Sequence, residues 1–176
     1  MAQNRGKQFE NVIRKTFEAF NGVSVDRIHD QTTGFRDSTN ICDFIVYRKP
    51  YQYYIECKTV HSDYLSIYGK NPKKCYGNIT NTQWEGLLAK SKIPGVVAGV
   101  LCWWVERDTT VFMPIQFLQE QRERFGRKSI KYTYATSEFK NNAPIVLCGY
   151  KKRVFFDYDM DDFFHQVEKR KRGGKL

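Results

Sequence analysis

Two acidic residues and a lysine stand where two predicted strands could bring them together. Glu56 and Lys58 lie two positions apart in the otherwise apolar run from Tyr53 to Val60, and Asp43 begins the preceding apolar run. Residues two apart on a strand face the same side of a sheet, so Glu56 and Lys58 project together. If the two runs form a hairpin, Asp43 lies beside them near its open end.

Two carboxylates and a lysine are suited to phosphodiester hydrolysis. Carboxylate oxygens are ligands that Mg²⁺ prefers, and the ion completes its coordination with water and substrate phosphate. Such an ion polarises a phosphoryl oxygen and lowers the pKa of the attacking water, while Lys58 can hold that water or neutralise developing charge. A second interpretation stays open, in which Glu56 and Lys58 are solvated residues on a half-exposed strand.

Hydrophobic periodicity predicts the elements that position these residues. The expected helices cover 4–21, 80–92, 114–125 and 161–169, and the expected strands cover 23–28, 41–47, 53–59, 96–105, 109–115 and 143–150. Segments 48–52 and 61–79 read as a hairpin loop and an exposed basic loop. This order predicts an α/β fold with a mixed central β-sheet flanked by helices.

The composition predicts a folded basic protein whose partner is a polyanion. Lys and Arg outnumber Asp and Glu by 29 to 19, which gives a net charge of +10. That charge supplies attraction to a nucleic-acid backbone, although it could also serve solubility alone. We expect a single domain over 1–176 with a basic, mobile tail at 169–176.

The remaining composition argues against several other classes of protein. The five cysteines are odd in number and widely spaced, which indicates reduced thiols and no zinc site. No apolar stretch has the length of a membrane span or a leader, so a cytoplasmic protein with no membrane partner is expected. We also expect no small-molecule organic cofactor.

Two further residues are candidates with an ordinary alternative. Glu10 lies at the edge of the apolar stripe of the first helix and could simply pair with Arg14 one turn later. Gln83 follows Thr80 at capping-box spacing and could serve only to begin its helix.

Several stretches together resemble the PD-(D/E)XK nucleases, and among them the RecU-type Holliday junction resolvases. The step of 13 residues from Asp43 to Glu56 is similar to the spacing of that family's motif. "NRGKQFE", "FRDSTNICD", "GRKSI" and "KKRVFFDY" resemble further family blocks, so the likeness spans most of the chain. The segment 23–40 is shorter than the family's stalk, which predicts a compact relative of the kind that a phage or prophage carries.

The resemblance implies a restriction-endonuclease-like core and a metal-dependent site. By that likeness, Asp43, Glu56 and the main-chain carbonyl of Cys57 bind Mg²⁺ or Mn²⁺. Lys58 assists the nucleophilic water, and Glu10 joins the catalytic residues from the first helix. Gln83 falls where the family has a glutamine at the start of its central helix.

The expected activity is a metal-dependent endodeoxyribonuclease that resolves four-way (Holliday) DNA junctions as a homodimer through paired symmetric nicks. The twofold symmetry of a junction suits a dimer with two related sites. Two alternatives stay open: a duplex or nicking endonuclease of the same superfamily, and a non-catalytic basic nucleic-acid-binding module. Candidate DNA-binding residues are Arg5, Lys7, Arg36, Lys73, Lys74, Gln83, Arg127, Lys128, Lys151, Lys152 and Arg153.

Overall fold

The computed structural model describes residues 5–28, 40–67, 78–137, 142–152 and 156–174. The helices are α1 (Arg5–Glu18), α2 (Asn81–Ser91), α3 (Ile115–Glu123), α4 (Tyr132–Ala135) and α5 (Met160–Arg172). The strands are β1 (Ser24–Arg27), β2 (Phe44–Arg48), β3 (Tyr51–Val60), β4 (Tyr64–Ser66), β5 (Val96–Trp104), β6 (Thr109–Pro114), β7 (Ser129–Lys131), β8 (Ile145–Val146), β9 (Gly149–Lys151) and β10 (Phe156–Tyr158).

The predicted mixed sheet with helices on both faces is confirmed. Its strand order is β1-β2-β3-β5-β6-β8, with β3 and β5 parallel and the other neighbours antiparallel. Helices α1 and α5 pack on one face, and α2 and α3 on the other. Apart from β4, which belongs to a separate two-stranded sheet, the chain order of one helix, three antiparallel strands, a second helix and a parallel strand is that of the restriction-endonuclease-like core.

The strand β3 lies in the middle of the sheet and is buried on both faces. Tyr53 and Ile55 pack into the apolar cluster under α1 and α5, whereas Tyr54 and Val60 pack into the cluster under α2 and α3. Alternation along the strand therefore directs even-numbered side chains towards α2. Glu56 and Lys58 belong to that even-numbered set.

Pairing on the two sides of β3 ends at different points. On one side, β2 pairs with β3 as far as Phe44 opposite Ile55. On the other side, β3 continues beside β5 as far as Val60 opposite Trp104. The segment from Glu56 onward thus extends beyond the last pair with β2, at the open end of the hairpin.

Two predicted loops contain regular structure instead. The hairpin loop expected at 48–52 is reduced to the turn at Lys49 and Pro50, since β2 and β3 run closer to it than predicted. Within the exposed loop expected at 61–79, Tyr64–Ser66 forms β4 and pairs with β7. That part of the loop prediction is wrong because Leu65 is fully buried against the α2 face. Residues 68–77 lie outside the described part of the chain.

The C-terminal predictions need two corrections. The strand expected at 143–150 is divided between β8 and β9, which belong to different sheets. The last helix continues to Arg172, beyond the end predicted at residue 169, and the mobility expected of the tail 169–176 stays a prediction. Arg170 stabilises this additional turn because its guanidinium donates hydrogen bonds to the carbonyls of Ala143 and Pro144. None of the helices in the described ranges has the length and apolar character needed to cross a membrane.

Candidate active site

Asp43 is held in place by backbone hydrogen bonds on both sides and by its own carboxylate. Its N–H donates to the carbonyl of Ile55 at 3.1 Å, and its carbonyl accepts from the N–H of Ile28 at 2.9 Å. Its Oδ2 accepts a hydrogen bond from the backbone N–H of Cys57 at 2.7 Å. The Asp43 carboxylate is therefore anchored to β3 at the residue between Glu56 and Lys58.

Glu56 is a buried carboxyl with two partners on one oxygen. Its Oε1 contacts Lys58 Nζ at 2.6 Å and accepts from Gln83 Nε2 at 2.6 Å. Only 2% of the residue is exposed, so the solvated interpretation of Glu56 is wrong. Burial raises the pKa of Glu56 to about 8, the Asp43 carboxylate adds to the rise, and Lys58 opposes it.

The second oxygen of Glu56 has the environment of a metal ligand. Among the described residues, Oε2 is buried and has no hydrogen-bond partner. Leaving such an atom unpaired is unfavourable, and here a second carboxylate, Asp43, raises the pKa of the same group. A divalent ion would satisfy the oxygen and reduce the repulsion between the two acids.

The ligands available to such an ion are few. No group of three or more His, Cys, Asp or Glu side chains suited to holding a metal occurs in the described ranges. Two carboxylates, a main-chain carbonyl, water and substrate phosphate form a ligand set that Mg²⁺ accepts. The carboxylates of Asp43 and Glu56 supply part of such an open ligand set, and the main-chain carbonyl of Cys57 as a further ligand stays a prediction.

Glu10 reaches this region from α1 but has an ion-pair partner of its own. Arg14 pairs with Glu18 at 2.7 Å, so the predicted alternative of a Glu10–Arg14 pair is wrong. Glu10 Oε2 instead accepts from Arg27 Nη2 of β1 at 2.7 Å. Arg27 lies opposite Phe44, the residue after Asp43, so Glu10 reaches the end of β2 at which Asp43 lies.

Gln83 connects the start of α2 to the site. Its Oε1 accepts from the N–H of Thr80 at 3.0 Å, and the Thr80 hydroxyl accepts from the N–H of Gln83 at 3.2 Å. The predicted capping box is confirmed. The amide nitrogen of Gln83 is directed at Glu56, so the same side chain caps the helix and orients the carboxyl. A DNA contact by Gln83 stays a prediction.

The other candidate DNA-binding residues occupy several parts of the surface. Arg5 and Lys7 are exposed in the first turns of α1, and Lys128 is exposed before β7. Arg127 stacks on the ring of Tyr134, with its guanidinium carbon 4.0 Å from the ring centroid. Lys151 and Lys152 form ion pairs with Asp108 and Asp157. Arg36, Lys73, Lys74 and Arg153 lie outside the described residues.

Arg27 is the residue of this region that the sequence did not indicate. It lies on an edge strand, and its contact with Glu10 joins residues 17 positions apart. The available signal for Arg27 was a basic residue near the end of the predicted strand 23–28. No helix or strand periodicity connects that position to Glu10, so the contact could not be predicted.

Comparisons with known proteins identify a structural likeness but no family. No protein-family model matches the chain, and no curated protein sequence matches it. A solved structure that resembles it is Hjc of Archaeoglobus fulgidus, a Holliday junction resolvase from an archaeal hyperthermophile. The two chains are 18% identical with a TM-score of 0.47, and the match covers 74% of this chain and 88% of Hjc.

The fold class stands on this chain's own strand order, and membership of the RecU type stays a prediction. The described part of the chain forms a restriction-endonuclease-like α/β core in which two carboxylates and a lysine lie together where β3 extends past β2.

Proposed function

We propose that this protein is a metal-dependent endodeoxyribonuclease that resolves four-way DNA junctions. The observation that carries the proposal is the buried Glu56, which contacts Lys58 while the carboxylate of Asp43 is anchored to the intervening Cys57. Burying a carboxyl with one unpaired oxygen is unfavourable for folding, so its presence at an open hairpin end favours a functional explanation.

Each of these residues has a role that follows from its contacts. Asp43, Glu56 and the main-chain carbonyl of Cys57 would hold Mg²⁺, with Mn²⁺ as a substitute. The ion supplies charge stabilisation for the scissile phosphate and lowers the pKa of a water molecule. Gln83 holds the Glu56 carboxyl in one orientation through the bond of 2.6 Å.

Lys58 and Glu10 would act on the reacting groups from the two sides of the site. The ammonium of Lys58 is a compact charge that can hold the attacking water or neutralise charge that develops on phosphorus. Glu10 carries its carboxylate to the same region from α1 while Arg27 holds it at 2.7 Å. Release of Glu10 from Arg27 would free that carboxylate for the reaction.

The junction as substrate and the homodimer as working unit rest on the resemblance and on symmetry. Resolution requires nicks of matching polarity in opposed strands, which two sites related by a twofold axis supply. A net charge of +10 favours binding of the phosphate backbone, and contacts to phosphate serve recognition by shape.

The test is cleavage of a four-way junction, a flap and a linear duplex, each with and without Mg²⁺. We expect metal-dependent paired nicks in the junction, and no cleavage by Asp43→Asn or Glu56→Gln. Both variants should still bind the junction, since Asp43→Asn removes a negative charge near phosphate and Glu56→Gln replaces a carboxyl whose pKa of about 8 keeps it largely protonated at neutral pH without metal. Glu120→Gln is the matched control, because Glu120 lies on the surface of α3 and pairs with Arg124.

Each outcome bears on a different part of the proposal. Normal cutting by either site variant would refute the residue assignment. Equal cutting of duplex and junction would favour a duplex or nicking endonuclease instead. Binding without any metal-dependent cutting would leave a non-catalytic nucleic-acid-binding module.

A further inference from the structure

The hairpin of β9 and β10 presents an aromatic side chain that has no structural use. Tyr150 is 83% exposed, whereas the next most exposed large apolar or aromatic side chain in the described ranges, Tyr64, is 51% exposed. The hairpin forms its own two-stranded sheet, apart from the central one. A tyrosine so exposed contributes almost no buried area, so packing does not account for it.

The register of the hairpin directs Tyr150 outward. Tyr158 lies opposite Gly149 and is buried, whereas Asp157 lies opposite Tyr150. Neighbouring residues on a strand face opposite sides, so Tyr150 and Asp157 share the outer face. Lys152 belongs to that face as well, because its Nζ lies 2.9 Å from the carboxylate of Asp157. An aromatic ring and a cation therefore stand side by side on the outside of the hairpin.

The base of the hairpin, where β9 begins and β10 ends, is held to the rest of the protein by hydrogen bonds and an ion pair. The hydroxyl groups of Tyr158 and Thr110 are 2.7 Å apart in the interior. The N–H of Asp159 donates to the carbonyl of Cys148 at 2.9 Å, and Lys151 forms an ion pair with Asp108. A ring carried on an anchored strand loses little conformational entropy when it binds a partner.

The base of the hairpin meets the central sheet two strands away from β3. The hydroxyl of Tyr158 contacts that of Thr110 on β6, and Thr110 lies opposite Trp103 of β5. Trp103 in turn lies opposite Thr59 of β3, the residue after Lys58. The hairpin therefore leaves the body of the protein two strands from the segment of β3 that carries Glu56 and Lys58.

The chemistry of this outer face favours nucleic acid over a protein partner. Lys152 adjoins the ring on the same face, in a chain of net charge +10, which suits a polyanion. Aromatic rings stack on nucleic-acid bases, and cations beside them contact the backbone. Bases inside an intact duplex already stack on their neighbours. An exposed ring therefore finds a free base only where the duplex is interrupted.

We propose that Tyr150 stacks on an unpaired or unstacked base at the branch point of DNA while Lys152 contacts the adjoining phosphate. The inference rests on the proposed function, in that it gives the nuclease a means to distinguish branched DNA from linear duplex. The site lies outside the set of carboxylates, and it requires no metal.

The test measures binding in the absence of divalent metal, so that no DNA is cut. The probes are a four-way junction with 2-aminopurine at its branch point and a linear duplex with the same label. Tyr150→Ala should weaken junction binding by about 5- to 100-fold and leave duplex binding within about twofold of wild type. Tyr150→Phe should retain junction binding and quenching of 2-aminopurine, because it keeps the ring.

Tyr47→Ala is the matched control, because Tyr47 is a half-exposed tyrosine (50% exposed) on β2, near the Lys49–Pro50 turn. Unchanged junction binding by Tyr150→Ala would overturn the inference, as would an equal loss on both probes or failure of the wild type to bind DNA. A changed sedimentation coefficient with unchanged DNA binding would instead identify a protein interface. Binding that depends on Tyr150 in a chain that cuts no DNA would refute the nuclease and uphold this inference.

Discussion

Replacing Glu56 by glutamine should remove a large pH dependence from the stability of the metal-free protein. Burial raises the pKa of Glu56 from 4.5 to about 8, with Asp43 adding to the rise and Lys58 opposing it. A difference of one in pKa corresponds to about 1.4 kcal/mol, so this rise corresponds to about 5 kcal/mol. The side chain is only 3% exposed, so solvent screens little of that energy.

The sign follows from the direction of the shift. Because the pKa is higher in the folded chain than in the unfolded one, the folded chain keeps the proton that the unfolded chain releases. This contribution to stability is fully present below pH 4.5 and is lost as the pH rises through about 8. Wild type should therefore lose up to about 5 kcal/mol relative to Glu56→Gln between about pH 4 and pH 9. Glu56→Gln also removes the carboxylate partner of Lys58, which changes the variant's free energy of unfolding by an offset in addition to the pH-dependent difference.

The assay is urea unfolding of wild type, Glu56→Gln and the surface control Glu120→Gln, in EDTA, over that pH range. The free energy of unfolding of Glu120→Gln should change with pH in parallel with that of wild type, because Glu120 is a surface residue of α3. Added Mg²⁺ should stabilise wild type at high pH and leave Glu56→Gln unchanged, since a ligand stabilises only the state that binds it. If the free energies of unfolding of wild type and Glu56→Gln change with pH in parallel, the raised pKa assigned to the buried Glu56 is refuted.

Three further predictions test the surroundings of the site. Gln83→Ala should lower stability by about 1 kcal/mol in thermal or urea unfolding through loss of the cap, and should reduce kcat about tenfold; an unchanged kcat would count against a positioning role. Gly99→Ala should lower the free energy of unfolding by about 1 to 3 kcal/mol, because the new Cβ would lie 2.4 Å from the carbonyl oxygen of Met113. Deletion of 169–176 should destabilise the fold by removing Arg170, and should weaken DNA binding with a shallower salt dependence; an unchanged salt slope would exclude contact of this segment with DNA.

Most of the central fold could be predicted from local patterns. Alternation in residues 53–59, the apolar run 96–105 and the Thr80–Gln83 spacing predicted β3, β5 and the start of α2, and all three are present. These signals lie within a few residues of one another, so the amino-acid sequence displays them directly. Elements that depend on distant partners were missed, such as β4, which exists because β7 pairs with it.

The candidate site also has features that local sequence patterns predict and features that depend on distant parts of the chain. Asp43, Glu56 and Lys58 could be selected from strand parity and hairpin geometry. The burial of Glu56 could not be predicted, because a charged residue on a predicted strand is equally compatible with a solvated position. The partner of Glu10 was misjudged for a related reason, since Arg14 is a helical neighbour whereas Arg27 comes from another element.

The amino-acid sequence by itself determined which side chains share a face and which strand carries them, because the twofold repeat of a strand and the closure of a hairpin are local properties. The tertiary structure alone decided their electrostatic state. Packing of α2 over β3 excludes water from Glu56 and directs Gln83 at one of its oxygens. Burial and charge coupling depend on every element that surrounds a group, so they arise only when the distant parts of the chain come together.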